Sequence, residues 1–156
     1  MESNINNNYI TLNDKSIENI EILEYFNEKN IVKNYIHALA SRPYYSVFQK
    51  IKDKFYKLYE QEKSKNVELT EKNFFPHGSE LEKKVTGYIF KLKNITIDPN
   101  ELKMLDDIDT LYRLRQLSDY GKEHNKIEYD KLKEALRMAK DINNFIDKIK
   151  IEEQNN

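Results

Sequence analysis

The sequence has no cysteine, three glycines, three prolines and no long apolar run. Without thiols there are no disulfide frameworks, thiolate metal sites or cysteine nucleophiles, in keeping with a reducing compartment. The few glycines form no phosphate loop, dinucleotide fingerprint or GxSxG elbow. No stretch alternates with period two for more than a few residues, so nothing predicts a sheet. The three histidines, His37, His77 and His124, are far apart, with no HExxH pair and no Asp-rich calcium loop, and neither metal nor cofactor is expected. No window approaches the roughly 18 apolar residues of a membrane span. The first fifteen residues lack a basic start followed by an apolar stretch. A cytoplasmic protein without membrane association is the expectation.

What is present is charge of both signs and apolar residues at helical spacing. The 156 residues suffice for one domain with a real core, and 26 basic against 27 acidic side chains give no overall attraction to nucleic acid. The distribution is uneven. Glu2, Asp14, Glu18, Glu21, Glu24 and Glu28 face only Lys15 and Lys29 near the start, whereas Arg42, Lys50, Lys52, Lys54, Lys57, Lys63 and Lys65 outnumber the acids of their segment. A lysine-rich stripe of that kind is either a solvated face or a phosphate contact.

Residues 1–13 are rich in asparagine and lack periodicity, which reads as a disordered tail. Residues 14–151 read as one helical domain, and 152–156 as a frayed end. Ile17, Ile20, Ile22, Leu23 and Phe26 predict a first helix from about Ser16 to between Asn27 and Asn30. A long helix follows over about Ile31 to Glu62, interrupted near Ala40 to Arg42 because Pro43 lacks an N–H and crowds the preceding turn. Residues 63–78 read as a linker. Ser79 and Glu82 then form a capping-box start for a helix with Leu81, Val85, Tyr88, Ile89 and Leu92 as its buried stripe. Asp98, Pro99 and Glu101 start a helix that Gly121 stops. The last helix, about Glu128 to Ile151, carries a heptad seam of Leu132, Ala135, Ala139, Ile142, Ile146 and Ile149.

The fourth of these helices is the unusual one. Leu102, Leu105, Ile108, Leu111, Leu114 and Leu117 recur every third residue, so in an α-helix the stripe drifts by about 60° per step and winds around the cylinder. Such a helix is central and carries Arg113, Arg115, Asp119 and Tyr120 into the interior or to an interface. There Arg115 either pairs with Asp119 one turn away as a structural clamp or meets a ligand, together with Arg42, Tyr45 and Tyr120. His77, at a helix start, is a further candidate for anion binding. With other chemistry excluded, arginine, histidine and tyrosine fit RNA cleavage, in which the substrate's own 2′-hydroxyl attacks.

SRPYYSVF near a helix start, His77-Gly78 before the next helix, LRQLSDYG closing the fourth and ALRMAKDINNFI in the last together resemble the HEPN superfamily. They are most like its small stand-alone bacterial and archaeal members, over about Ile31 to Ile149. The resemblance implies an all-α, up-and-down bundle of four to five helices, commonly a homodimer, linked to toxin–antitoxin or phage-defence systems. It also implies a metal-independent endoribonuclease in which an arginine holds phosphate and a histidine moves protons. In this sequence those roles fall to Arg115 and His124, separated by eight residues where the family has four to six. RNA, an antitoxin or a nucleotidyltransferase are the partners implied. The alternative is a non-catalytic HEPN-like dimer acting through protein contacts, as an antitoxin or regulatory partner. A dimer built on the central and last helices suits either.

Overall fold

The computed structural model describes residues 10–92, 95–120 and 126–151. All regular structure among them is helical: α1 (Leu12–Glu28), α2 (Ile36–Leu39), α3 (Arg42–Lys65), α4 (Glu71–Phe74), α5 (Ser79–Lys91), α6 (Pro99–Leu102), α7 (Asp107–Tyr120) and α8 (Tyr129–Lys148). Two 3₁₀ turns, Val32–Asn34 and Lys103–Asp106, link α1 to α2 and α6 to α7. No helix of the described residues is long and apolar enough to cross a membrane.

The first helix begins earlier than its apolar residues suggest, because Thr11 and Asp14 form a reciprocal capping box, each side chain meeting the other's backbone N–H at 3.0 Å. Leu12 and Asn13, expected in the tail, are therefore helical. Its orientation is also a correction. Ile17 is 43 % exposed, while Ser16 and Asn19 are buried against α3. The cause lies across the contact: each hydroxyl of the Ser16 and Ser46 pair donates to the other's carbonyl, at 2.7 and 2.8 Å. Two small side chains let the backbones approach and satisfy each other, a match that isoleucine cannot make.

The break at Pro43 falls where expected, but as a helix start. The chain passes through the 3₁₀ turn and α2 before Pro43 enters the first turn of α3, where no N–H is needed. At the other end, residues 66–78 form more than a linker. They run back along α3: Glu71 pairs with Lys52 at 2.6 Å, Phe74 and Phe75 are buried beside Tyr59, and His77 reaches Phe48 and Tyr44. In consequence α5 starts beside the start of α3 and runs parallel to it. Bonds from Asn143 to Ser46 and from Lys50 to Asp147 show α8 parallel to α3 as well. All regular structure among the described residues is thus helical, without strict up-and-down alternation.

The proline-started helix at Asp98 is confirmed, with the Asp98 carboxylate accepting from Asn100 N–H at 2.9 Å. It then tightens into the 3₁₀ turn before α7. With three residues per turn, Leu102 and Leu105 line up on one side, so the stripe does not wind there. Beyond it, Ile108, Leu111 and Leu114 are buried and Leu117 has drifted out to 38 % exposure. The α8 seam is buried, and α8 packs chiefly on α3. The alanine face expected at a dimer interface is consequently used inside one chain.

Candidate functional site

The return of residues 66–78 brings three elements together at the start of α3. Tyr44, Tyr45 and Phe48 come from α3, His77 and Gly78 from the turn into α5, and Tyr112, Arg115 and Asp119 from α7. Gly78 is the pivot. Its φ of 71° and ψ of −142° belong to a region open almost only to glycine, and a Cβ there would lie 2.8 Å from the Tyr112 ring. Gly78, rather than Ser79, is accordingly the N-cap of α5, and no side chain caps that helix. Its own N–H donates to the buried Tyr44 hydroxyl at 3.3 Å.

The Tyr44 hydroxyl also meets His77 Nδ1 at 2.7 Å. Because Gly78 already donates to this oxygen, the network is satisfied when Tyr44 donates to Nδ1. Neutral His77 then carries its proton on Nε2, for which the described residues supply no partner. The ring stacks on Phe48 at 4.5 Å and lies parallel to Tyr112 at 6.1 Å. Burial, and after it the charge of Arg115, hold the His77 pKa below the ordinary histidine range. Burial pushes the Tyr44 hydroxyl well above the usual phenol range, so it stays protonated.

Arg115 is the charged member. Its Nε donates to the Tyr45 hydroxyl and to Asp119 Oδ2, both at 3.0 Å. The guanidinium lies 5.2 Å from the Tyr45 ring centre and 5.6 Å from that of Tyr112, within cation–π range. The Arg115 side chain is 14 % exposed and that of Asp119 is 29 % exposed, so the pair is partly screened and not a buried ion pair.

Of the residues singled out in the sequence, Arg115, Tyr45, Asp119 and His77 converge. Arg42 does not join them: its guanidinium donates to Asn19 Oδ1 at 3.0 Å and tethers α1 instead. His124 and the Tyr120 side chain lie outside the described residues. Tyr44 and Phe48 of the SRPYYSVF segment, Gly78 of the His77-Gly78 pair and Tyr112 of α7 complete the cluster, and spacing alone assigns none of them a place in it. Among the described residues no group of three His, Asp or Glu side chains is placed to hold a metal ion. No family model, curated protein or solved structure matches the chain.

The chemistry available is therefore that of a cation flanked by aromatic faces and a neutral imidazole N–H donor. One consequence is a pH effect. The unfolded chain binds a proton at His77 near pH 6.5, before the folded protein does, so stability is present above that pH and falls as the pH drops below it. Thermal melts from pH 7.5 to 5 are expected to show a smaller loss for His77→Phe than for the native protein. Equal losses would mean that His77 is not the titrating group.

Proposed function

We propose that this chain is a HEPN-like, RNA-directed protein: a metal-independent endoribonuclease of a toxin–antitoxin or phage-defence system, working as a homodimer. The observation that carries the reading is the convergence of Arg115 and His77 within one aromatic cluster. A phosphate meets the guanidinium charge and the Nε2–H of His77, and an unstacked base meets the Tyr45, Tyr112 or Phe48 ring, the combination single-stranded RNA requires. His77 is a binding group here, because its Nδ1 lone pair is engaged by Tyr44 and its Nε2 bears the proton. Proton transfer from the attacking 2′-hydroxyl then falls to His124, as the HEPN resemblance implies, with Arg115 stabilising the charge that develops on phosphorus.

The test is cleavage of single-stranded RNA in EDTA, with the products analysed for 2′,3′-cyclic phosphate ends. Cleavage is expected to persist in EDTA and to fall at least about a hundredfold in His124→Ala. Loss of cleavage on chelation, or full cleavage by His124→Ala, sinks the assignment.

A second reading has its own observation, the two bonds from Arg115 Nε to Tyr45 and Asp119. In it the arginine is a structural clamp and the chain is a non-catalytic HEPN-like dimer acting on a protein partner, as an antitoxin or regulator. A chain that neither binds nor cleaves RNA, yet loses stability in Arg115→Ala, supports this alternative.

A further inference from the structure

Cleavage through the 2′-hydroxyl moves two protons. One leaves the attacking hydroxyl, and another must reach the 5′-oxygen as its bond to phosphorus breaks. His124 takes the first in the reading proposed above, on which this inference rests. The second needs a donor beside the arginine that holds the phosphate. Within the cluster most candidates are already committed. Tyr44 is buried and gives its proton to His77 Nδ1. Asp119 is an acceptor, bonded by Arg115. Neutral His77 offers a hydrogen bond from Nε2, but surrendering that proton would leave an imidazole anion, so it is a poor acid.

Tyr45 differs from all three. Its oxygen accepts the Arg115 Nε–H at 3.0 Å, which leaves its own proton directed elsewhere, and among the described residues no acceptor takes that proton. The side chain is half-buried, so its hydroxyl is open to a ligand on one side. Its ring is held in place, edge-on to Tyr44 at 5.9 Å and with the guanidinium 5.2 Å from its centre. A bond donated into the oxygen by a cation polarises the O–H and makes it a stronger donor.

We propose that the Tyr45 hydroxyl is the general acid of the cleavage, giving its proton to the departing 5′-oxygen. The 2′-oxygen loses its proton to His124 and bonds to phosphorus. The bond from phosphorus to the 5′-oxygen then breaks, its electron pair stays on that oxygen, and the Tyr45 proton completes a 5′-hydroxyl. The products are a 2′,3′-cyclic phosphate and the 5′-hydroxyl strand, with the extra proton on His124 and a phenolate on Tyr45 against the Arg115 Nε–H. Return of that proton from His124 to Tyr45 through water restores the starting state. Arg115 thus serves both the phosphate and the acid, and base stacking falls to Tyr112 and Phe48.

Tyr45→Phe tests this on the full chain, because it removes the hydroxyl and keeps the ring beside the guanidinium and the bond from Arg115 to Asp119. Two single-stranded RNAs are compared that differ only at the bond the native chain cuts. One has the natural 5′-oxygen there; the other has a bridging 5′-sulfur, which departs as a thiolate and needs no proton. On the oxygen RNA the variant should lose about a hundredfold or more in kcat, with KM within about threefold of native. On the sulfur RNA it should match the native chain within about threefold, which also shows that it is folded. His124→Ala should be slow on both, since the 2′-hydroxyl must lose its proton whatever leaves. Equal losses on the two RNAs would make Tyr45 a residue that only positions Arg115. Native kcat on the oxygen RNA would leave the hydroxyl without a part in the chemistry. Either result overturns this assignment while the nuclease reading stands, whereas a native chain that cuts no RNA overturns both.

Discussion

Arg115→Ala should lower RNA cleavage at least about a hundredfold, the usual scale for removing a group that stabilises charge at the reacting centre. The same substitution should cost only about 1–2 kcal/mol of stability. Asp119 is 29 % exposed and regains water when its partner is lost, whereas a sealed pair would cost roughly 3–5 kcal/mol. The double variant Arg115→Met with Asp119→Leu should restore stability without restoring cleavage. Denaturant melts and RNA cleavage on the two proteins decide the matter. Full cleavage by Arg115→Ala removes the arginine from the mechanism, and a loss above 3 kcal/mol favours the clamp.

Gly78→Ala is expected to have the largest effect on folding, about 2–4 kcal/mol. Alanine at φ 71° and ψ −142° is strained in itself, and its Cβ would have to displace Tyr112 from 2.8 Å. Moving that ring disturbs its contact with Tyr44, at 5.2 Å, and its stack with His77. The melting temperature should fall by roughly 6–12 °C, and RNA affinity should fall with it even at temperatures where the variant is folded. A melting temperature within a degree of native would show that the turn tolerates a side chain.

The parts of this molecule that were legible in the sequence are those fixed by local chemistry. Pro43 marks a helix boundary because it lacks an N–H, Asp98 and Pro99 mark a helix start, and the α8 seam shows its period in seven residues per repeat. What stayed hidden depends on two distant segments meeting. Ser16 and Asn19 point inward only because Ser46, Gln49 and Arg42 stand opposite with matching donors and acceptors. The three-residue stripe has two meanings, winding in an α-helix and aligned in a 3₁₀ turn, and the chain uses one after the other. The site shows the same division. Arg115 and Asp119 are four apart on a helix and could be paired by spacing, but the bond from Tyr44 to His77 requires residues 66–78 to fold back along α3, and nothing in a charged, aperiodic stretch announces that.

The most direct test of the central claim is the affinity of single-stranded RNA for the native chain and for His77→Phe, by fluorescence anisotropy at low and moderate salt. Phenylalanine keeps an aromatic ring beside Phe48 and Tyr112 and removes the Nε2–H donor, together with the Nδ1 acceptor of the Tyr44 hydroxyl. If Arg115 and His77 share a phosphate, His77→Phe should bind at least about fivefold more weakly, and native affinity should fall with salt as phosphate contacts require. Equal affinity for the two proteins, with both shown folded by their melts, would contradict the assignment of this cluster to RNA.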